Sequence, residues 1–169
     1  MINKNELYNT PIDHVRRIRW LDFENTERSG RGSFVAELYP EDAERLRNAG
    51  WNVSEYQNPN YPDSDVIYKL TIYINYREKD GTPRNEERTP HVFIAEGRTR
   101  RRLYEDTIYE TLKDARFSDA HIEINPNFSK KDPGKFTAYA SEATFDLDTN
   151  SPKSQRQFNN RYGDMYDDE

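Results

Sequence analysis

The chain has no cysteine, and that absence removes disulfides, thiolate nucleophiles and cysteine-based zinc sites together. It fits a reducing compartment, so the expected location is the cytoplasm. Long apolar runs are missing too: no stretch approaches the roughly 20 residues that a membrane span requires. Met1 to Thr10 is polar, without the apolar centre of a secretory leader. Paired catalytic groups are also scarce. The three histidines, His14, His91 and His121, are far apart with no His-x-x-x-His pair, so metal chemistry has little to start from and each reads as a surface histidine on a strand. There is no Walker-type glycine loop and no Gly-x-Ser-x-Gly elbow. Glu142, Asp146 and Asp148 share a face of the last predicted strand and have the chemistry of magnesium ligands, but acid alternation on a solvated strand face is the commoner cause of that pattern. No enzymatic activity, cofactor or metal is expected.

Hydrophobic residues make up only 33% of the 169 residues, yet aromatics reach 13%, with 12 tyrosines. Such a chain supports one small, aromatic core, since tyrosine buries large area or stacks on ligands. The net charge of -6 argues against indiscriminate binding of polyanions, but the charges are bunched. Arg16, Arg17 and Arg19 lie together, Arg28 and Arg31 follow, and Arg98, Arg100, Arg101 and Arg102 form a dense run. Acid gathers at the end, at Asp164, Asp167, Asp168 and Glu169. Local basic stripes on a folded body, with a separate acidic tip, make a different electrostatic object from a uniformly acidic protein.

β-Branched and aromatic runs predict strands over His14 to Phe23 and Ser33 to Leu38. Pro40, the acids Glu41 and Asp42, and Gly50 predict a short helix between them, and Trp51 beyond it is assigned to the core. In Val66 to Tyr76 the apolar residues Val66, Tyr68, Leu70, Ile72, Ile74 and Tyr76 alternate onto one face, which predicts a core strand. After the turn dipeptide Asp80-Gly81, His91 to Glu96 is expected to return as its antiparallel partner. Tyr104, Ile108, Leu112 and Ala115 recur at helical spacing. Two late strands follow, one with Ile122 and Ile124 inward and one with Tyr139, Ala143, Phe145 and Leu147 on one face. The reading is a mainly β protein: residues 1–13 a flexible segment, 14–148 one domain, 149–169 a disordered acidic tail. An OB-type five-stranded Greek-key barrel with one or two short helices fits best, with a sandwich as the alternative.

Four arginines within Arg98 to Arg102, between a strand end and a helix, suit a phosphate-contacting loop. On the first strand Arg17 and Arg19 share one face, while Ile18 and Trp20 share the other; Trp20 serves either the core or base stacking. Tyr73 lies on the polar face of the central strand with Lys69 and Arg77 four residues away, where it either stacks on a base or packs under a loop.

These residues, taken in order, resemble the OB-fold single-stranded DNA-binding proteins of tailed bacteriophages. The matching features are the strand around Arg19 and Trp20, Gly32-Ser33-Phe34, Ala43 and Leu46 leading into Gly50-Trp51-Asn52-Val53, and Val66 to Tyr76. They continue through Pro90-His91-Val92, Leu103, Ile124-Asn125-Pro126 and Tyr139, a span of about His14 to Asp148. The resemblance implies sequence-tolerant binding of single-stranded DNA in phage replication or recombination, with no catalytic residues. It also implies a tail, through Asp164, Tyr166, Asp167, Asp168 and Glu169, that recruits replication or recombination proteins. Here Tyr166 is followed by three acids, where such tails commonly end in an aromatic residue. The rival expectation is a phage protein-interaction module, such as an inhibitor of a host defence enzyme.

Overall fold

Alternating apolar and polar residues give this chain, in a computed structural model, a mixed sheet with nine strands among the described residues. The structure describes residues 4–22, 31–57, 59–60, 66–78, 80–112, 115–129, 131, 134 and 136–148. After a 3₁₀ turn over Lys4–Leu7 come β1 (Thr10–Ile12), β2 (Arg17–Asp22) and β3 (Arg31–Leu38), then helix α1 (Pro40–Asn48). Next are β4 (Ser54–Tyr56), β5 (Ile67–Asn75), β6 (His91–Glu96) and β7 (Thr99–Leu103). Helix α2 (Ile108–Leu112) leads into a long hairpin of β8 (Phe117–Phe128) and β9 (Phe136–Leu147). Among the described residues, no helix is long and apolar enough to cross a membrane.

The strands run in the order β1-β8-β9-β5-β3-β2. β2, β3 and β5 form an antiparallel meander, and β9 lies parallel to β5 through Ile72↔Ala138 and Tyr73↔Tyr139. β6 also runs parallel to β9, from His91↔Glu142 to Ala95↔Asp146, and carries β7 on its far edge. The inward face holds the core: Phe34, Ala36 and Leu38 of β3, Leu70, Ile72 and Ile74 of β5, and Ala143 and Phe145 of β9 are all buried. Phe34 meets Phe145 edge to face at 5.2 Å, the arrangement that the ring quadrupoles favour. Pro40 opens α1 as expected, Glu41 and Asp42 sit in its first turn, and Gly50 follows with a φ of 103° that side chains oppose. Ala43 and Leu46 turn inward, and Trp51 is buried with its ring 4.9 Å from that of Phe136.

Several expectations are corrected. Residues 4–13 are not a loose leader, because Leu7 and Ile12 are buried and β1 pairs with β8 from Thr10↔Ile124 to Ile12↔Ile122. His91 to Glu96 does not return beside β5, since the edges of β5 are already taken by β3 and by β4 and β9. Tyr139 does not share a face with Phe145. The register steps from Glu123↔Glu142 to Ile124↔Ala140, so Ser141 is the extra residue of a bulge and reverses the alternation. Ala138 and Ala140 are consequently buried before it, and Ala143, Phe145 and Leu147 after it. Among the described residues the second helix is Ile108–Leu112, with Tyr104 ahead of it and exposed. Arg98 to Arg102 is no loop: Arg98 is in the turn after Gly97, and the rest lies in β7. The expected tail, 149–169, lies outside the described residues.

Candidate nucleic-acid interface

The alternation that buries one face of the sheet turns a polar set outward. The ladders align Arg17 with Glu37 and Glu37 with Lys69, and beside them Arg19 with Val35 and Val35 with Thr71. Ser54 of β4 joins this face opposite Lys69, and Tyr139 of β9 joins it beside Tyr73. Glu37 is buried, and Arg19 Nε lies 2.7 Å from its Oε2. That contact is ionic and poorly angled for hydrogen bonding, as Oε2 has no hydrogen-bond donor. Arg17 and Lys69 are thus the ladder neighbours of Glu37 and Arg19 its ion-pair partner, three cations to one carboxylate on this face. Lys69 also holds its ammonium 5.0 Å from the centre of the Tyr56 ring, a cation–π contact.

This face is grooved. A depression of about 340 Å³ is lined by Arg16, Arg17, Arg19 and Glu37. On one side, Arg17 and Arg19 also border a cleft of about 450 Å³ with Arg116, Phe117 and the acid Asp148. On the other, Lys69, Ser54, Thr71 and Tyr73 line a hollow of about 190 Å³ that reaches Phe136 and Thr137. That hollow shares Asn52, Phe136 and Thr137 with a larger one of about 610 Å³ containing Phe128. Cations thus cluster at one end of the run and aromatic rings at the other. Tyr139 lies beyond Tyr73, where burial, and then the nearby Tyr8, raise its phenol pKa.

The remaining sequence candidates are placed elsewhere. Arg77 grips Glu105, its Nε donating to both carboxylate oxygens at 3.0 and 2.9 Å and an Nη donating at 2.6 Å. That hydrogen bonding raises the guanidinium pKa further, and the charge of Arg77 is already matched. In β7, Arg100 aligns with Ala95 and Arg102 with Phe93, while Arg101 aligns with Ile94 on the other face. Arg100 lies 3.9 Å over the Phe93 ring, and Arg102 is bound by Glu86, whose carboxyl this hydrogen bond holds below its usual range. The arginine run is therefore split between two faces and separated from the groove. Trp20 is in β2, but its side chain lies outside the described residues, as do Asp164, Tyr166, Asp167, Asp168 and Glu169. Sequence reasoning missed Tyr56, Phe128, Phe136 and Arg116; the only local trace was aromatic residues flanking the β8–β9 turn.

The histidines are not all apart. Pairing of β1 with β8 brings His14 beside His121, ring centres 5.4 Å apart. His14 Nδ1 is 2.6 Å from Asp119 Oδ2, and Asp119 Oδ1 accepts the N–H groups of Val15 at 3.0 Å and Ala120 at 2.8 Å. His121 Nε2 lies 3.1 Å from Asp146 Oδ2, and its Nδ1 lies against the carbonyl oxygen of Asp13. The hydrogen bond to Asp119, then its charge, raise the His14 pKa. Burial alone would raise that of Asp119, but the hydrogen bonds from His14, Val15 and Ala120 together lower it.

Comparison of the chain with protein-family models, with curated proteins and with solved structures found no significant match.

Proposed function

We propose, from the geometry of the grooved face, that this chain binds single-stranded DNA without catalysis, in bacteriophage replication or recombination in the host cytoplasm. The observation that carries this reading is the run of depressions from Arg116, Arg17 and Arg19, past Lys69 and Tyr73, to Phe136 and Phe128. An extended strand needs cations for its phosphates and ring faces for its bases along one path. Arg17, Arg19 and Lys69 neutralise phosphates, and Tyr73 and Tyr56 receive bases, with Phe136 and Phe128, packed against the core, at the end of the path. A duplex, with its bases stacked inside, cannot use the aromatic end.

The strand order supports an OB-type barrel as the frame. β2, β3, β5, β8 and β9 stand as its five strands, with α2 and the β6–β7 hairpin between the third and fourth. The outermost two, β2 and β8, share a cleft through Arg17, Arg19, Arg116 and Phe117. In such barrels the face of the second and third strands, with the loops joining strands one to two and four to five, receives oligonucleotides. Here that face is β3 and β5, and the groove runs toward the β8–β9 turn. The acidic end of the chain serves in this reading to recruit replication or recombination partners.

Titration with labelled oligothymidine, in parallel with a duplex of equal length, at low and at moderate salt, tests the proposal. Oligothymidine binds more tightly, and its affinity falls steeply with salt through cation release. Equal affinity for both forms overturns it. The net charge of -6 favours the protein-interaction reading if neither binds.

A further inference from the structure

We propose that His14, Asp119 and His121 form a binding site for one divalent transition-metal ion of the zinc class. This site stands apart from the nucleic-acid groove and does not rest on that reading. Each residue offers one ligand atom, and these atoms lie within 4.8 Å of one another. Tetrahedral zinc, with bonds of about 2.0–2.2 Å to nitrogen and oxygen, sets its ligand atoms about 3.4 Å apart. Reaching that spacing asks for His14 and Asp119 to give up their 2.6 Å contact and for His121 to turn toward them, at a surface where the His14 side chain is 63% exposed.

Three features distinguish the cluster from a chance meeting of surface groups. Asp119 is aimed: two backbone N–H groups occupy Oδ1, which leaves Oδ2 toward His14. His121 is held at Nε2 by the carboxylate of Asp146 at 3.1 Å, which leaves Nδ1 as its ligand atom once that nitrogen parts from the carbonyl oxygen of Asp13; an outer carboxylate of this kind fixes a ligating imidazole and raises its basicity. The ligands also come from two separate chain segments that only the pairing of β1 with β8 unites. Two imidazole nitrogens and one carboxylate suit zinc, cobalt or nickel, whereas magnesium prefers oxygen throughout. Because the site exists only when β1 is docked, bound metal stabilises the folded chain.

The untagged full-length protein, stripped with chelator, is titrated with Co²⁺ and then Zn²⁺. A visible cobalt d–d band saturates at one equivalent, zinc displaces it, and zinc raises the melting temperature reversibly. His14→Gln and His121→Gln each lower zinc affinity by more than about 10-fold, the loss that even an outer-sphere partner can cause. His91→Gln, at the histidine beside Glu86 on β6, leaves affinity unchanged. Melting curves of each variant without metal show that it folds. Absence of the cobalt band in the wild-type protein overturns the proposal, and so does binding that survives both His14→Gln and His121→Gln.

Discussion

Lys69 and Arg77 are both cations of the polar segment that starts in β5, yet their electrostatic situations differ. Arg77 is locked in a three-bond clasp with Glu105, while Lys69 rests over a tyrosine ring beside a buried acid. Replacing Arg17 and Lys69 together by Ala should therefore lower the salt slope of oligothymidine binding by roughly two phosphate equivalents. Arg77→Ala should leave that slope unchanged, because its charge is spent on Glu105. The reverse pattern would move the binding path away from β3 and β5. Tyr73→Ala should weaken binding by about 1–3 kcal/mol, and a lower melting temperature with intact binding would show its ring to be structural. Lys69 and Tyr73 were legible because alternation alone assigns a face. The engagement of Arg77 was not, since Glu105 lies 28 positions away and no local pattern announces it.

At the scale of elements, α1 was legible because its signals are local: Pro40 at the start, acids in the first turn, Gly50 past the end. β1, β4 and β7 were not, being short, polar or charged, and defined mainly by the strands they pair with. The bulge at Ser141 was hidden for the same reason, because an alternating sequence does not say where its partner skips a residue. That skip carries a testable burden. Deleting Ser141 removes the extra residue, and a strict period of two then keeps Ala138, Ala140, Ala143 and Phe145 all on the inward face. Because the buried set, Phe145 included, keeps its face, the deletion should leave cooperative thermal unfolding intact. Loss of the melting transition would show that the bulge itself, and not only the burial it permits, is needed in the β8–β9 hairpin.

On the scale of the whole molecule, charge is partitioned as well as summed. The expected tail carries Lys153, Arg156 and Arg161 against Asp164, Asp167, Asp168 and Glu169, with its acid at the tip. As the flexible tether that the sequence leads one to expect, about 20 residues would span roughly 25 Å and hold their end near millimolar effective concentration. Deleting Gly163 to Glu169 should therefore raise affinity for short oligonucleotides at low salt, with the gain shrinking as salt screens the competition. Superimposable isotherms of the two proteins at low salt would remove any such role. Strand content was legible in the sequence, but the order of the strands was not. Parallel pairing of β9 with β5 and β6 joins segments far apart in the chain, and a hydrophobic pattern reports only which face is buried.

β7 has a strand partner on one side alone, β6, among the described residues. An edge of this kind is a row of backbone donors and acceptors ready to template a second copy of the same chain. Arg98 and Arg100 are exposed along it, so two such edges brought together would set like charges face to face. Like charge along the sheet's open border then opposes edge-to-edge pairing of copies. Replacing Arg98, Arg100 and Arg101 by Thr keeps the strand's β propensity and removes that repulsion, and light scattering should then reveal dimers or larger particles. A variant that stays monomeric at high concentration would show that the border is protected by something other than charge.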